Sequence, residues 1–389
     1  MNINQPEKEN IVKKKSRKHM LIAGLLVVAL GACSSDDASE SGVVEEEAVA
    51  EPEAPAEAGV TTGRFTLDQS VGVVGVVSAD NSQSGLEVDF SVFNGKNIGI
   101  VAVLPVPEVT IQTDACQAII KANGGTSDFV NVDGDANKAV QTFETFIARG
   151  DAGLWNVSNA GAALRSVIDS ANAKGIPFIG TYAGNEPGSA DIREDEWATT
   201  PIIAQYIGNQ MNGEGTVAVL GFNGIYTLLQ RTTILESVLA FEFPKIKVVR
   251  LPDFDFTPEG ARAIAEAALQ ADPSIKAIFS HWDVPASGAI QAASDLGRDD
   301  LIITSYTGDN KSGYEFIEAG VLAATVGQSN RQVGVLACEY LALALAGQAL
   351  PEDTLVPTGF VSKANNPGSA GVFNARPYVL NPTTIAYKK

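Results

Sequence analysis

Short apolar runs alternate with helical patterns along most of the chain. In the first half, the apolar runs predict buried strands, and apolar residues spaced three or four apart predict helices that end at glycine. The predicted strands are NIGIVAVL (97–104), TSDFVNVDG (126–134), AGLWNVS (152–158) and IPFIGTY (176–182). The predicted helices are VTIQTDACQAIIKANGG (109–125), ANKAVQTFETFIARG (136–150) and AALRSVIDSANAKG (162–175). This alternation is typical of a parallel sheet covered by helices.

The alternation starts again near Pro201. The predicted helices there are PIIAQYIGNQMNG (201–213), TLLQRTTILESVLAF (227–241), TPEGARAIAEAALQADP (257–273), PASGAIQAASDLG (285–297), GYEFIEAG (313–320) and RQVGVLACEYLALALAG (331–347). The strands are TVAVLGF (216–222), IKVVRLPDF (246–254), IKAIFSHWD (275–283), LIITSY (301–306) and LAATVGQ (322–328). Two such units predict an α/β fold with two Rossmann-like lobes that face each other across a cleft. No sequence repeat relates the two units.

The N-terminus has the pattern of a secretion signal. A basic run at residues 13–18 precedes MLIAGLLVVALGA (20–32), an apolar segment that is shorter than a stable transmembrane helix requires. The sequence LGAC before Cys33 resembles the lipobox of bacterial lipoproteins, which implies cleavage after residue 32 and lipidation of Cys33. The alternative is a plain secretory signal or an uncleaved anchor, with Cys33 an ordinary thiol. Under each interpretation the mature chain lies outside the cytoplasm.

The segment 33–60 is rich in acidic residues, alanine, proline and serine. It holds nine Asp or Glu and no Lys or Arg, so we expect a disordered acidic tether. Removal of residues 1–32, which carry six Lys or Arg and two Asp or Glu, takes the formal net charge from −19 to −23. This charge argues against nucleic acid as a partner. No function is predicted for the N-terminal extension 61–95.

Few residues could support metal, redox or hydrolytic chemistry. Without Cys33, the cysteines are Cys116 and Cys338, either bridged or two buried free thiols. His281 is the one histidine beyond the signal, so a zinc site with nitrogen and sulfur ligands is not expected. No glycine-rich phosphate loop is present, and we expect no cofactor. Ser280, His281 and Asp283 are too close along one predicted strand to form a nucleophile–base relay, so we expect no enzyme.

Three segments in the same order resemble the ribose-binding-like branch of the periplasmic binding proteins of type I fold. They are LWNVSNAGAALRSVIDSANAKGIPFIGTY (154–182), FDFTPEGARAIAEAALQADPSIKAIFSHWDVPASGAIQAASDLGRDDLIITSYTGD (254–309) and GVLAATVGQSNRQVG (320–334). The resemblance covers roughly residues 96–348. It implies a lobe 1 of residues 96–195 plus 329–350, a lobe 2 of 196–328 and a three-crossing hinge. The tail 351–389 is expected at the hinge or spanning the lobes.

The resemblance also implies a function. It indicates a monomeric, lipid-anchored solute-binding protein of an ABC importer that binds a sugar or sugar-like ring compound between the lobes and presents it to a permease. The alternatives are a sensor lipoprotein for a chemoreceptor or kinase, and a binder of nucleoside, aromatic or acidic ligands. A repressor effector domain shares the fold, but the lipobox and the absence of a helix-turn-helix pattern argue against it.

Matching the family motifs to this chain gives the candidate ligand contacts. They are Trp282, Asp283, Gln328, Arg231, Asn156, Tyr182, Asp309, Glu196 and Glu108. Three of them have alternatives: lobe packing for Trp282, helix capping for Asp283 and a surface position for Arg231. Thr181 with Tyr182, and Tyr306 with Thr307, replace acidic residues common in the family. The loss of these carboxylates argues against ribose itself as the ligand.

Overall fold

The computed structural model describes residues 76–77, 82–184, 186–307, 311–364 and 378–385. The signal segment, Cys33 and the acidic tether lie outside these residues. The strands are β1 (Val76–Val77), β2 (Val88–Asp89), β3 (Asn97–Ala102), β4 (Thr126–Asn131), β5 (Gly153–Val157), β6 (Phe178–Thr181), β7 (Ala190–Glu194), β8 (Glu214–Leu220), β9 (Lys245–Arg250), β10 (Ile275–Ser280), β11 (Ile302–Tyr306), β12 (Ala324–Gly327), β13 (Leu350–Val356), β14 (Gly359–Ser362) and β15 (Tyr378–Ile385). The helices are α1 (Pro107–Ala122), α2 (Ala136–Arg149), α3 (Arg165–Ala173), α4 (Glu196–Gln210), α5 (Tyr226–Glu242), α6 (Pro258–Ala271), α7 (Asp283–Asp295), α8 (Lys311–Glu318) and α9 (Asn330–Leu345).

Two large sheets form the centres of two lobes. The sheet of lobe 1 has the order β15-β13-β7-β6-β5-β3-β4, and the sheet of lobe 2 has the order β14-β12-β11-β10-β8-β9. All neighbouring strands are parallel except that β15 and β14 pair antiparallel with β13 and β12. The two-lobed α/β fold predicted from the sequence is therefore confirmed.

Each sheet is buried on both faces. In lobe 1, α1 and α9 pack with the aromatic residues of the extension in one core, and α2 and α3 pack in a second core. In lobe 2, α6, α7 and α8 form one core, and α4 and α5 form the other. Strands buried on both faces are expected to be continuously apolar, which is the pattern that identified most of them in the sequence.

The strand order requires four passages of the chain between the two sheets, three of which lie wholly within the described residues; the fourth joins β14 of lobe 2 to β15 of lobe 1. The three crossings are the steps from β7 to α4 (194–196), from β12 to α9 (327–330) and from β13 to β14 (356–359). The first two lead directly into capped helices: Asp195 accepts a hydrogen bond from the Ala198 amide at 3.0 Å, and Ser329 accepts one from the Gln332 amide at 3.2 Å. These caps fix the residues that follow each crossing.

The sequence patterns missed several strands. β7 has the sequence ADIRE and β13 has the sequence LPEDTLV, and their charged residues hide the apolar pattern of a buried strand. The charges are nevertheless compensated, because Arg193 donates two hydrogen bonds to Asp353, of 3.0 and 2.8 Å. The tail contributes β14 to lobe 2 and β15 to lobe 1.

The described part of the N-terminal extension packs on α9. Glu339, fully buried on α9, accepts hydrogen bonds from the amides of Gln83 at 2.9 Å and Ser84 at 2.6 Å. Gln332 of the same helix donates to the side chain of Gln83 at 2.7 Å. Burial raises the pKa of Glu339 to about 7. The extension therefore covers the back of the helix that follows the second hinge crossing.

Helices α1 and α9 approach each other closely. A Cβ atom at Gly334 would overlap the backbone carbonyl of Gln112, so only glycine permits this contact. Cys116 and Cys338 lie on the same two helices as buried free thiols, with the Cys338 sulfur 3.4 Å from the Cys116 carbonyl oxygen. The disulfide bond between these two cysteines, one of the two alternatives from the sequence, is not formed in the structure. Within the described residues, no helix combines the length and hydrophobicity needed to cross a membrane.

Candidate functional site

A cavity of about 90 Å³ lies between the lobes. It is lined by Val103, Leu104, Val106, Glu108, Val109, Gln112, Ser158, Tyr182, Glu194, Ile225, Thr227, Leu228, Arg231, Trp282, Thr307, Gln328 and Asn330. Most of these residues directly follow the carboxyl ends of parallel strands or begin the helices after them. Open α/β sheets bind their ligands at this edge.

Three lining residues have a strained backbone. Ser158, Tyr182 and Thr307 have φ angles of 64°, 57° and 72°, and each follows the end of a strand (β5, β6 and β11). The left-handed region is unfavourable for side chains other than glycine and tends to be retained at functional sites. All three of these residues border the cavity.

Glu108 contributes a buried carboxylate to the lobe 1 wall. It lies in the first turn of α1, and its Oε1 accepts a hydrogen bond from the Thr307 hydroxyl of lobe 2 at 3.4 Å. Its Oε2 is buried and has no hydrogen-bond partner among the described residues. Burial raises the pKa of Glu108 above its usual value. A ligand hydrogen-bond donor would satisfy this oxygen.

Arg231 joins the two lobes. It extends from α5, donates to the Glu194 carboxylate at the end of β7, and donates to the backbone carbonyl of His281 at 2.6 Å. Its guanidinium carbon lies 4.1 Å from the centroid of the Tyr306 ring, a cation–π contact. The alternative that Arg231 is a surface residue is wrong, since it is 3% exposed.

Glu196 lies behind this ion pair, without lining the cavity. Its carboxylate is 3.7 Å from Arg231 and 3.8 Å from Arg193, so both contacts are longer than hydrogen bonds. Burial, followed by repulsion from Glu194, raises the pKa of Glu196 to about 8. The charged group consists of two arginines and three acids, namely Arg193, Arg231, Glu194, Glu196 and Asp353. Its net charge is zero when Glu196 carries a proton.

Trp282 forms an apolar wall of the cavity and also packs within lobe 2. Its ring stacks on Phe254, with centroids 5.7 Å apart and planes at 26°, and it lies 6.4 Å from Phe256. It is 7% exposed, and its indole Nε1 has no hydrogen-bond partner among the described residues. Packing on one face of the ring therefore leaves the indole donor available to the cavity.

Three amide side chains meet where the second crossing enters α9. Gln328 and Gln112 both donate to the Asn330 side-chain oxygen, at 3.0 and 2.8 Å. The side-chain oxygens of Gln328 and Gln112 are buried without a partner among the described residues. The network fixes two hydrogen-bond acceptors at the cavity wall, one on each side of the hinge.

Five of the nine sequence-predicted contacts line the cavity: Trp282, Gln328, Arg231, Tyr182 and Glu108. Asp283 does not, because its carboxylate accepts a hydrogen bond from the Ser305 hydroxyl at 2.7 Å beneath α7. Asn156 does not, because its amide exchanges hydrogen bonds with Asn159. Glu196 lies behind Glu194, as described above. Asp309 falls outside the described residues.

Sequence reasoning missed Glu194, Thr307, Gln112 and Asn330. The sequence contains an indication of Glu194 in the segment REDEW (193–197). β7 ends at Glu194, so this residue reaches the cleft before the chain crosses to lobe 2. Gln112 required knowledge of how closely α1 packs on α9. Two other tryptophans do not line the cavity: Trp155 is fully buried in lobe 1, and Trp197 is exposed.

The Ser280, His281 and Asp283 side chains make separate contacts. Ser280 donates to the Trp282 carbonyl at 2.9 Å. The His281 Nδ1 accepts from the Phe222 amide at 3.2 Å, so its Nε2 carries the proton and donates to Thr232 at 2.6 Å. Burial and the nearby Arg231 charge lower the pKa of His281 to about 3. These contacts brace the loop after β10. In the part of the chain that the structure describes, no cluster of three metal-ligating side chains occurs.

The fold and the cleft define a two-lobed binding protein. Residues 109–349 match the profile of the periplasmic binding protein domain family, and the chain belongs to that family. The ribose import binding protein RbsB of Bacillus subtilis is 28% identical over 241 residues, which are 61% of this chain and 77% of the relative. The D-apiose import binding protein of Paraburkholderia graminis is 28% identical over 274 residues, 67% of this chain and 84% of the relative.

A solved structure gives the same assignment. The ABC transporter solute-binding protein of Agrobacterium vitis with bound allitol superposes with a TM-score of 0.64 and 27% identity, over 70% of this chain and 96% of that one. The family profile ends at residue 349, so the tail that supplies β13, β14 and β15 lies beyond it.

Proposed function

We propose that this protein is the solute-binding component of an ABC importer and that it binds a sugar or sugar-like ring compound between its lobes. The observation that carries the proposal is a set of buried polar atoms around one cavity that have no hydrogen-bond partner among the described residues: Glu108 Oε2, Gln112 Oε1, Gln328 Oε1, Arg231 Nε and Trp282 Nε1. Buried polar groups left unpaired destabilise a protein by about 1–3 kcal/mol each, so a polyhydroxylated ligand that pairs with them gains affinity.

The apolar walls support the same ligand class. Trp282 presents a flat ring surface, and Val103, Leu104 and Leu228 complete an apolar lining. A sugar ring has hydroxyl groups at its edge and C–H groups on its faces, so it suits polar groups at the cavity rim and an aromatic face. The names of the relatives, which refer to ribose and D-apiose import, support the transport role.

The test is thermal unfolding against D-ribose, D-apiose, D-allose, allitol and myo-inositol. A ligand at a hundred times its Kd stabilises the native state by about 2.7 kcal/mol, which raises the unfolding midpoint by several degrees. Gln328→Ala should abolish the shift. Gln291→Ala, an exposed glutamine on α7, is the matched control and should retain it. Absence of a shift with every polyol, or a full shift in the Gln328 variant, would refute the proposal.

We also propose that the ligand is released unchanged and that the protein is anchored through Cys33. The separate contacts of Ser280, His281 and Asp283 support binding without turnover. The LGAC sequence supports the lipid anchor. Cys33→Ser should move the protein from the membrane fraction to the soluble fraction of its host cell; a variant that stays with the membrane would contradict lipidation at this residue.

A further inference from the structure

A second chamber adjoins the cavity between the lobes. It has a volume of about 310 Å³ and is lined by Val103, Asp133, Gly134, Ala136, Ala139, Ser158, Asn159, Ala160, Ala163, Leu164, Phe222, Gly224, Ile225 and Phe256. Val103, Ser158 and Ile225 line both spaces, so the two lie side by side. We call the first space the inner cavity and the second the outer chamber.

The two walls of the outer chamber differ in shape. Half of the residues on the lobe 1 wall are glycine or alanine, which makes this wall shallow and mostly apolar. The lobe 2 wall carries the rings of Phe222 and Phe256, whose centroids are 4.7 Å apart. Phe256 in turn lies 6.4 Å from Trp282. A row of aromatic rings therefore runs from the inner cavity into the outer chamber.

Two of the three polar side chains that line the outer chamber, Asn159 and Asp133, are already paired within the protein. The Asn159 side-chain amide donates to the Val101 carbonyl at 3.2 Å and to Asn156 at 2.9 Å. Asp133 accepts a hydrogen bond from Asn131 and pairs with Lys138 at 3.5 Å. A second sugar ring would find few free partners here, whereas a flat apolar group needs none.

Two residues of the outer chamber have a strained backbone. Phe256 has a φ of 63° and Asp133 has a φ of 54°. This conformation is particularly unfavourable for a bulky residue such as phenylalanine. Such strain persists where the surrounding contacts determine the conformation, and here it places the Phe256 ring against Phe222 at the chamber wall.

We propose that the outer chamber binds a flat apolar or aromatic group attached to the polar ring in the inner cavity, so that the preferred ligand is an aryl glycoside or a nucleoside. This inference rests on the proposed function, because it requires the inner cavity to hold the polar ring. The aromatic rings of lobe 2 stack on the substituent, and the alanine-rich wall of lobe 1 covers its other face when the lobes close.

Calorimetric titration with matched ligands tests the inference. The probes are D-ribose and D-allose, the methyl and phenyl β-glycosides of each, and adenosine. The phenyl glycoside should bind at least tenfold more tightly than the methyl glycoside of the same sugar. Phe222→Ala should remove this gain and leave the affinity for the methyl glycoside unchanged, because Phe222 does not line the inner cavity. Phe241→Ala, at an α5 position that is 89% exposed, is the matched control and should change neither affinity.

A second variant keeps the test valid if Phe222→Ala fails to fold. Ala163→Phe fills the outer chamber from an exposed position of lobe 1 and should also remove the gain. If methyl glycosides bind and phenyl glycosides bind equally or less tightly, the inference is wrong and the proposed function stands. A gain that persists in both variants likewise overturns it. If none of the probes binds, the proposed function itself fails.

Discussion

Glu196 is a fully buried carboxyl group at the first hinge crossing, and its ionisation should control the pH dependence of stability. Neither of its oxygens accepts a hydrogen bond from the described residues, and both arginines near it are more than 3.5 Å away. Burial raises the pKa of Glu194 as well, and the Arg231 guanidinium beside it opposes that rise. We therefore expect Glu196 to be protonated in the native protein at neutral pH.

The magnitude follows from the two pKa values, 4.5 ordinarily and about 8 in the native state. Because the native state holds this proton more tightly, the stabilisation is fully present below pH 4.5 and is lost as the pH rises towards 8. Each pH unit in this window changes the free energy of unfolding by about 1.4 kcal/mol, so the whole window amounts to roughly 3–5 kcal/mol. This is a large part of the stability of an ordinary domain.

Glu196→Gln keeps the shape of the protonated side chain and removes its titration. Urea unfolding between pH 5 and pH 9 should show the variant close to wild type at pH 5 and more stable at pH 9. Glu236→Gln, which removes a partly exposed carboxylate of α5 that pairs with Arg250, is the control and should follow the wild-type slope. If the Glu196 variant runs parallel to wild type, or is less stable at pH 9, Glu196 is ionised in the native state and the charge count of the cluster is wrong.

Three further substitutions test the packing around the cleft. Trp282→Ala should weaken ligand binding at least tenfold, about 1.4 kcal/mol, and an unchanged Kd by calorimetry would assign the ring to lobe packing alone. Gly334→Ala should force α9 away from Gln112, lowering the free energy of unfolding by about 1–3 kcal/mol and reducing affinity; a wild-type denaturation curve would contradict this close contact. His281→Asn should flatten the loss of stability between pH 6.5 and about 3, because wild type must protonate a buried imidazole on unfolding, and an acid-unfolding profile identical to wild type would count against a buried neutral His281.

The alternation of apolar runs was enough to predict the two lobes, because most strands are buried on both faces and read as apolar. It failed at β7 and β13, where Arg193 and Asp353 are buried as a pair, and hydropathy cannot show that one charge compensates another far along the chain. The same limit applies to the site. Trp282 and Gln328 could be placed from local motifs, whereas Gln112 enters the cavity only because α1 packs on α9 at Gly334.

The C-terminal strands determine when lobe 1 can be complete. β7 acquires its outer neighbour only from residues 350–356, and the pair of Arg193 with Asp353 closes a loop of 160 residues. A chain synthesised from its N-terminus must therefore make the lobe 2 elements from α4 to β12 before lobe 1 can neutralise its buried arginine. A truncation before Asp353 leaves that charge without its carboxylate, and an unpaired buried charge is strongly destabilising. Lobe 1 thus begins first along the chain and is completed last. Both lobes therefore need the C-terminal residues before they can fold completely.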